Sequence, residues 1–164
     1  MSYRIALVPG TYDPVTVGHI NVIKRVALIF DHVVVSVADS RSKGGGPLFS
    51  LEERVGFIKD ALSDQANVDV LPFTGLLVDF AREQGASVVV KGLRAVTDFD
   101  SEFQQASINH KLDAELETIL IMSDPEHMFL SSSMVKEIAA HGGKIDDWVT
   151  PIVKAALLDR FAEC

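Results

Sequence analysis

The chain contains 164 residues, of which 48% are hydrophobic and 23% are charged, and its formal net charge at pH 7 is −8. This length suits one domain with a substantial core, and the composition is far from that of a disordered chain. The acidic balance, with Lys and Arg scattered along the sequence, excludes a long nucleic acid as an expected partner. A small anionic ligand remains compatible, because a few local cations and backbone N–H groups can hold phosphate inside an acidic protein.

Cysteine usage and hydropathy indicate the compartment. The only cysteine is Cys164, so no intrachain disulfide can form and an oxidising compartment gains no support. The apolar stretch within MSYRIALVPG is shorter than a signal-peptide core, and no run approaches the ~20 apolar residues of a membrane span. We therefore expect a cytoplasmic protein that does not enter a membrane.

Apolar runs rich in β-branched residues recur along the chain and alternate with segments of helical periodicity. The near-continuous hydrophobicity of these runs is typical of strands buried on both faces of a parallel sheet. The predicted strands are Arg4–Val8, His32–Ala38, Val68–Leu71, Ser87–Lys91 and Thr118–Met122. The predicted helices are Val17–Phe30, Leu51–Leu62, Leu76–Gln84, Asp98–Leu112, Met134–His141 and Pro151–Phe161.

Capping signals support these boundaries. The predicted signals are a Ser50–Glu53 capping box, N-caps at Thr97 and at Thr150 before Pro151, and C-terminal glycines at Gly85 and Gly142-Gly143. The alternation of strands and helices predicts a single α/β domain over residues 1–164, a Rossmann-like doubly wound five-stranded parallel sheet with helices on both faces. Ligands of such sheets bind beyond the carboxyl ends of the strands, so we expect the functional residues in the loops that follow them.

The segment PGTYDPVTVGH, from Pro9 to His19, joins the first predicted strand to the first helix. Gly10 permits close backbone approach, and Gly18 removes a Cβ where a ligand could lie against the helix. Free N–H groups and the positive dipole at the helix start favour an anion, which His19 would reach. The segment therefore predicts a phosphate site.

Each residue of this segment also has a simpler explanation. Pro9-Gly10 and Asp13-Pro14 are common turn sequences, and a single histidine is most often a surface residue. The combination favours the phosphate site. Neither a P-loop GxxxxGK[ST] nor a GxGxxG fingerprint is present, so the two common phosphate loops do not account for this strand, turn and helix.

GTYDPVTVGH resembles the (T/H)xxH-bearing motif of the nucleotidylyltransferase superfamily, in which a threonine or histidine after the first strand and a histidine of the first helix flank nucleotide phosphates. Three further stretches narrow the resemblance: Ser42-Lys43 before PLFSLEER, then VVVKGLRAVTDFDSEFQQASIN, and FLSSSMVKE. Their order and spacing are similar, over nearly the whole chain, to the bacterial phosphopantetheine adenylyltransferase family. That family transfers AMP from ATP to 4′-phosphopantetheine in coenzyme A biosynthesis, releasing pyrophosphate and 3′-dephospho-coenzyme A.

The resemblance implies a catalytic set and an ATP-binding set. The catalytic residues would be His19, Lys43 and Arg94. The ATP-binding residues would be Thr11, Tyr12, His19, Gly92, Leu93, Arg94, Glu102, His127, Met128, Phe129, Leu130, Ser131, Ser132 and Ser133. From the residues alone, Lys43 is equally a solvated loop lysine, Glu102 an ordinary acidic helix residue, and one of the three serines a simple N-cap.

The resemblance also implies a site for the second substrate. The phosphopantetheine-binding residues would be Thr11, Lys43, Leu76, Leu77, Lys91, Asn109 and Glu137, although the two leucines are equally compatible with the core. Lys91 stands where the family often has arginine. Lysine keeps the positive charge of arginine but lacks its bidentate fork. Ser101 replaces an aromatic residue expected before Glu102.

Further expectations concern cofactors, partners and competing functions. The resemblance implies a homohexamer, Mg²⁺ is expected with ATP, and coenzyme A is a candidate feedback ligand on which the sequence does not decide. The remaining histidines, His32, His110, His127 and His141, lack metal-ligand spacing, so no resident metal is expected. Two alternatives stay open: a nucleotidylyltransferase acting on nicotinamide mononucleotide or glycerol phosphate, and a non-catalytic coenzyme A or nucleotide sensor on the same fold.

Overall fold

A computed structural model of the chain describes residues 4–40 and 46–162. Five strands alternate with helices in the order expected. The strands are β1 Ile5–Gly10, β2 His32–Ala38, β3 Val68–Phe73, β4 Val88–Leu93 and β5 Glu117–Met122. The helices are α1 Val17–Ala27, α2 Leu51–Ala61, α3 Leu77–Glu83, α4 Val96–Leu112, α5 Ser132–Ala140 and α6 Pro151–Ala162, with a short 3₁₀ helix at Pro125–His127.

The strands form one parallel sheet in the order β3-β2-β1-β4-β5. From β1 the chain moves outward through β2 to β3, then returns across the sheet to β4 on the other side of β1. The strand order therefore reverses between β1 and β4, and a crevice opens beyond their carboxyl ends. The predicted five-stranded doubly wound sheet is confirmed.

Alternating strand residues face two separate cores. On one face, Val8 and Val35 pack with residues of α1, α2, α5 and α6, including Ile23 and Leu157. On the other face, Leu7, Val34 and Val89 pack with Val78 and Phe80 of α3. Helices thus cover both faces of the sheet, as right-handed crossovers require. Within the described ranges, no helix has the length and apolar character needed to cross a membrane.

Helix ends follow the capping chemistry at most positions. Ser50 and Glu53 form the predicted capping box of α2. Gly85 and Gly142 both have positive φ after helices α3 and α5. At each of these C-termini the next two N–H groups bond back to the last helical turn, as in a Schellman motif. Ser131 caps α5 by accepting from the Met134 N–H at 3.1 Å, which starts that helix at Ser132 instead of Met134.

The predicted N-cap of α4 is wrong, whereas the N-cap of α6 stands at its predicted position without a side-chain hydrogen bond. Helix α4 begins at Val96 with Ala95 in the cap position, so Thr97 lies inside the first turn. The carboxylate of Asp98 reaches back to the Arg94 N–H at 3.3 Å and allows this earlier start. Thr150 precedes Pro151 as expected, but its buried hydroxyl has no hydrogen-bond partner, and only its carbonyl accepts from the Lys154 N–H.

Candidate active site

A cleft of about 400 Å³ lies at the crevice between β1 and β4. It is lined by the turn after β1, the start of α1, the end of β4, the first turns of α4, and the segment from the 3₁₀ helix into α5. Twelve of the predicted site residues line it: Thr11, Tyr12, His19, Lys91, Gly92, Arg94, Glu102, His127, Leu130, Ser131, Ser132 and Ser133. The fold therefore brings together residues that lie more than 120 positions apart in the sequence.

The turn after β1 is organised around Tyr12, whose side chain is only 5% exposed. Its hydroxyl donates to the Val8 carbonyl at 2.8 Å, and burial raises the pKa of the phenol well above its ordinary value. A Cβ at Gly10 would stand 2.8 Å from the Tyr12 ring. The absence of a side chain at Gly10 thus makes room for the Tyr12 ring, and the backbone of Gly10 itself lines the cleft. Tyr12 itself has φ 52°, a conformation that is rare without glycine.

His19 occupies the third position of α1 and forms a reciprocal capping box with Thr16. The imidazole Nδ1 accepts from the Thr16 backbone N–H at 3.1 Å and lies 3.0 Å from the Thr16 hydroxyl. Desolvation in the cleft wall and, to a smaller extent, the charge of Arg94 together lower the pKa of His19 to about 4. A neutral ring whose Nδ1 accepts must carry its hydrogen on Nε2. His19 is therefore a neutral hydrogen-bond donor in the cleft wall.

The N–H groups at the start of α1 are less available than the sequence suggested. The Val17 N–H donates to the Trp148 carbonyl at 2.9 Å, and the His19 N–H is within 3.4 Å of the Thr16 hydroxyl. Gly18 lines the cleft, and a Cβ there would also meet His127 at 3.4 Å. Of the first three helical N–H groups, only that of Gly18 has no protein acceptor among the contacts of the described residues. The helix dipole remains, but the expected set of free donors is reduced.

Two cations at the end of β4 each face a carboxylate of α4. Lys91 Nζ lies 3.2 Å from a carboxylate oxygen of Glu102, and both side chains are largely buried. Arg94 forms a fork with Asp98, with Nε 3.1 Å from Oδ2 and Nη2 3.3 Å from Oδ1. Asp98 and Glu102 are four residues apart and so share one face of α4. The predicted phosphate-binding cations and Glu102 therefore converge on the same wall of the cleft.

The three serines have different surroundings. Ser131 caps α5, and the hydroxyl of Ser132 donates to the Pro14 carbonyl at 2.7 Å, which fastens α5 to the turn after β1. Ser133 is exposed at the cleft. The N–H groups of Ser132 and Ser133 are the first-turn donors that the Ser131 cap leaves unused. This helix start can bind an anion through backbone donors and one hydroxyl.

The other predicted residues lie outside the cleft. Leu93 ends β4, while Met128 and Phe129 are exposed beside it, and the Phe129 ring contacts Trp148 edge-on at a centroid distance of 5.9 Å. The remaining four lie on helices: Leu76 and Leu77 at the start of α3, Asn109 two turns along α4 from Glu102, and Glu137 one turn along α5 from Ser133. Lys43 falls outside the described residues, as do Gly44 and Gly45.

A buried polar network holds the turn after β1, and of its members the sequence pointed only to Asp13, as a turn residue. Asp13 accepts from the Leu48 and Phe49 N–H groups, both at 2.9 Å, and pairs with Lys136. Arg54 is 1% exposed and donates to the carbonyls of Thr11, Ala38 and Phe49. Both Arg54 and Lys136 lie inside the stretches that carried the resemblance. Their position within these stretches is the signal by which the sequence could have pointed to them.

The side chains that line the cleft show whether the protein itself could ligate a metal ion. Within residues 4–40 and 46–162, no cluster of three or more His, Cys, Asp or Glu side chains is arranged to hold one. Asp98 and Glu102, the two carboxylates among the residues that line the cleft, are paired with Arg94 and Lys91. These residues suit an ion that arrives on a polyphosphate and keeps most of its water ligands.

Comparisons with known proteins agree with this geometry. A family model described as cytidylyltransferase-like matches residues 7–138. A phosphopantetheine adenylyltransferase of Syntrophotalea carbinolica is 48% identical over 163 residues, covering 99% of this chain and 97% of that protein. The phosphopantetheine adenylyltransferase of Methylobacillus flagellatus is 49% identical over 162 residues, covering 99% and 100%.

A solved structure from Vibrio parahaemolyticus, provisionally named a nicotinate-nucleotide adenylyltransferase, matches with a TM-score of 0.68 over 99% of this chain and 98% of that chain. Its sequence identity is 18%, so this likeness concerns the fold alone. The fold, the cleft at the strand-order reversal and the near-complete coverage at almost half identity lead to one assignment. This chain belongs to the cytidylyltransferase-like family and, within it, to the phosphopantetheine adenylyltransferases.

Proposed function

We propose that this protein transfers the adenylyl group of ATP to 4′-phosphopantetheine, giving 3′-dephospho-coenzyme A and pyrophosphate in coenzyme A biosynthesis. The observation that carries the proposal is the meeting of His19, Lys91 and Arg94 around one cleft beyond β1 and β4. Two cations and a neutral donor in one crevice suit a ligand with several phosphates. The relatives that match over nearly the whole chain bear the name of this activity.

The reaction requires no protein nucleophile. A terminal phosphate oxygen of 4′-phosphopantetheine attacks the α-phosphorus of ATP and forms a new P–O bond. The bond from the α-phosphorus to the bridging oxygen breaks on the opposite side, and its electron pair leaves with pyrophosphate. The protein's task is to hold the two phosphates in line and to stabilise the charge of the transition state.

His19 is placed to stabilise that charge without a proton transfer. With Nδ1 committed to Thr16, the ring presents Nε2–H to the cleft. A neutral donor fixed by a backbone hydrogen bond needs no reorganisation as charge develops on the phosphate, which is the property of a preorganised site. We assign His19 to the reacting phosphate of ATP.

The cations and the start of α5 complete the proposed phosphate site. Arg94 would neutralise phosphate charge from the wall of β4, and Lys43 would approach from the segment after β2. Ser133 and the backbone N–H groups of Ser132 and Ser133 would hold further phosphate oxygens at a helix N-terminus. Thr11, exposed at the cleft with its hydroxyl 3.1 Å from that of Ser40, is placed to contact either substrate.

The remaining ATP positions form the surroundings of the nucleotide. In the proposed complex Tyr12 acts through its backbone, since its hydroxyl is committed to Val8. The nucleotide would lie between the end of β4 and the segment before α5. Its proposed contacts are Gly92, Leu93, Glu102, His127, Met128, Phe129, Leu130 and Ser131.

The second substrate would run from Lys91 outward along the helices. Lys91 would hold the phosphopantetheine phosphate, which competes with Glu102 for the ammonium group. The pantetheine arm would then leave the cleft toward Leu76, Leu77, Asn109 and Glu137, which lie outside it. An extended arm of this kind needs exposed contacts of mixed polarity, and Leu76 is 55% exposed.

Mg²⁺ would enter as part of the MgATP substrate. Bound to the β- and γ-phosphates, it would supply charge neutralisation of the leaving pyrophosphate. Protein residues would contribute to its position only through the phosphates they hold.

Self-association is also part of the proposal. No residue of α4 is fully buried, and Val96, Phe99 and Phe103 form an exposed apolar stripe on it, with Val96 88% and Phe103 58% exposed. Such a stripe is typical of a surface covered by another subunit. We propose the homohexamer implied by the family resemblance, in the cytoplasm, with coenzyme A as a feedback ligand of the same cleft. Light scattering at micromolar concentration measures the subunit number directly.

One experiment separates the proposed function from its alternatives. Purified protein is mixed with ATP and Mg²⁺, and pyrophosphate release is followed with 4′-phosphopantetheine, nicotinamide mononucleotide or glycerol phosphate as the acceptor. The proposal predicts release with 4′-phosphopantetheine alone. Release with another acceptor assigns a different transferase, and ATP binding without release under all three conditions assigns a sensor.

A further inference from the structure

The side chain of Arg94 is fixed by two different elements. Its Nε and Nη2 donate to the two carboxylate oxygens of Asp98 on α4, at 3.1 and 3.3 Å. Its Nη1 donates to the Leu130 carbonyl at 3.0 Å, in the segment before α5. Asp98 also accepts from the backbone N–H of Arg94 at 3.3 Å. One carboxylate thus holds both the backbone and the guanidinium of the same residue.

This arrangement leaves part of the guanidinium available to a ligand. The group has five N–H donors in a rigid fork, and the contacts to Asp98 and Leu130 use three of them. Arg94 lines the cleft with its side chain 39% exposed. Without Asp98 only the Leu130 carbonyl would hold the guanidinium, and the direction of its other donors would be less well defined.

We infer that Asp98 is a positioning residue, which orients the Arg94 guanidinium so that its two remaining donors face a phosphate in the cleft. The inference rests on the proposed function for the identity of that phosphate as part of ATP. It adds a role for a residue outside the predicted site and makes the first turn of α4 part of the nucleotide site.

Asp98 has two opposing effects on the binding of ATP, and an experiment can show which of them is larger. The carboxylate offsets part of the Arg94 charge, which weakens attraction for phosphate. It also removes the rotamer freedom of Arg94 before the ligand arrives, which strengthens binding and aligns the donors. If positioning dominates, removal of the carboxylate impairs ATP binding and turnover. If charge compensation dominates, the same change improves ATP binding.

The test uses Asp98→Asn, with Asp100→Asn as its matched control. Asp100 is an exposed carboxylate on the same helix with the same charge, so its loss reproduces the electrostatic change without the contact. ATP affinity is followed by fluorescence of Trp148, the only tryptophan, which contacts Phe129 in the segment before α5. Turnover is followed by pyrophosphate release, with kcat and KM measured for each substrate.

Positioning predicts that Asp98→Asn weakens ATP binding several-fold and lowers kcat by roughly 10- to 100-fold, in the range expected for a misplaced catalytic group. The KM for 4′-phosphopantetheine should stay within twofold. Asp98→Glu should recover part of the loss, and Asp100→Asn should match the unaltered protein. In an Arg94→Ala background, Asp98→Asn should add no further loss, because the group it positions is gone.

Three results would overturn the inference: tighter ATP binding by Asp98→Asn, unchanged ATP affinity and kcat, or the full loss persisting in the Arg94→Ala background. Failure of the proposed function is a different observation, namely no pyrophosphate release by the unaltered protein. In that case the fluorescence titration with ATP still decides the role of Asp98.

Discussion

The imidazole Nδ1 of His19 lies 3.1 Å from the backbone nitrogen of Thr16, the residue that caps the same helix. A capping box normally places Glu or Gln at this third helical position, and here a histidine takes the part. One ring nitrogen therefore stabilises the start of α1, and the other remains for a ligand. The pairing makes the structural and the proposed catalytic roles of His19 separable by substitution.

His19→Asn should retain the cap and lose the catalytic donor. The Asn side-chain oxygen can accept from the Thr16 N–H, whereas no group replaces Nε2–H. We expect kcat to fall by roughly 10²- to 10³-fold, or about 3–4 kcal/mol, with little change in the urea midpoint. His19→Gln, whose amide NH₂ reaches closer to the Nε2 position, should recover part of the activity. Turnover by His19→Asn within tenfold of the unaltered protein would remove His19 from the reaction.

The low pKa of His19 predicts a specific pH dependence of stability. Its folded pKa of about 4 lies below the ordinary value of 6.5, so the unfolded chain binds a proton that the folded chain does not. The contribution of a neutral His19 is complete above pH 6.5 and is lost as the pH falls toward 4. The free energy of unfolding of the unaltered protein minus that of His19→Asn should therefore decrease over this window. A difference that is constant or rises on acidification contradicts a His19 ring that stays neutral in the folded protein.

Lys91→Gln should act mainly on the second substrate. Loss of the ammonium group removes the proposed partner of the phosphopantetheine phosphate and leaves Glu102 unpaired beside it. Both effects raise the KM for 4′-phosphopantetheine, which we expect to increase at least tenfold, while the KM for ATP changes little. Lys91→Arg serves as the control, since it keeps the charge and adds a fork. An unchanged KM for 4′-phosphopantetheine in Lys91→Gln would place its phosphate elsewhere.

Two glycine substitutions should have opposite effects on stability. In Gly10→Ala the new Cβ would lie 2.8 Å from the Tyr12 ring, and the buried ring has to shift, at a cost of about 1–3 kcal/mol. Gly56 lies inside α2, where a Cβ meets nothing within 4 Å. Gly56→Ala should therefore stabilise the protein by about 0.5–1 kcal/mol through helix propensity. Urea unfolding measures both, and equal effects would contradict the packing described for the turn.

Arg54→Met should be strongly destabilising. The buried guanidinium donates to the carbonyls of Thr11, Ala38 and Phe49. Burial lowers the pKa of Arg54, and the negative charges of Asp13 and Asp39 partly offset that effect. Removal of the guanidinium leaves these three carbonyls without a donor and takes a positive charge away from Asp13. We expect the free energy of unfolding to fall by about 3–5 kcal/mol. Lys59→Met on the exposed face of the same helix is the control. Equal urea midpoints for Arg54→Met and Lys59→Met would show that the network does not support the fold.

The sheet and its helices were predictable because both signals are local. Runs such as VVVSVA and helical periodicity reflect burial directly, and capping residues mark the ends, so boundaries differ by only a few residues. The predicted helix to Phe30 ends earlier, at Ala27, because the Leu28 N–H bonds to the Arg25 carbonyl and tightens the last turn. Such one-turn adjustments depend on tertiary packing and leave little trace in the sequence.

The site was predictable in its members but not in their pairings. The resemblance placed His19, Lys91 and Arg94 together, and residue type gave their charge. It could not show that Asp98 and Glu102 face those cations, because this depends on how α4 is rotated against β4. Arg54 escaped notice for a different reason: arginine is rarely fully buried, and the three carbonyls that make its burial tolerable come from separate parts of the chain.

The central claim is that the cleft at β1 and β4 performs adenylyl transfer to 4′-phosphopantetheine, with His19 acting on the reacting phosphate. The most direct measurement quantifies 3′-dephospho-coenzyme A and pyrophosphate together from MgATP and 4′-phosphopantetheine, for the unaltered protein and for folded His19→Asn. We expect the two products in equal amounts from the unaltered protein and at least a hundredfold slower formation of both by the variant. Pyrophosphate without 3′-dephospho-coenzyme A, or equal rates for the two proteins, would contradict the claim.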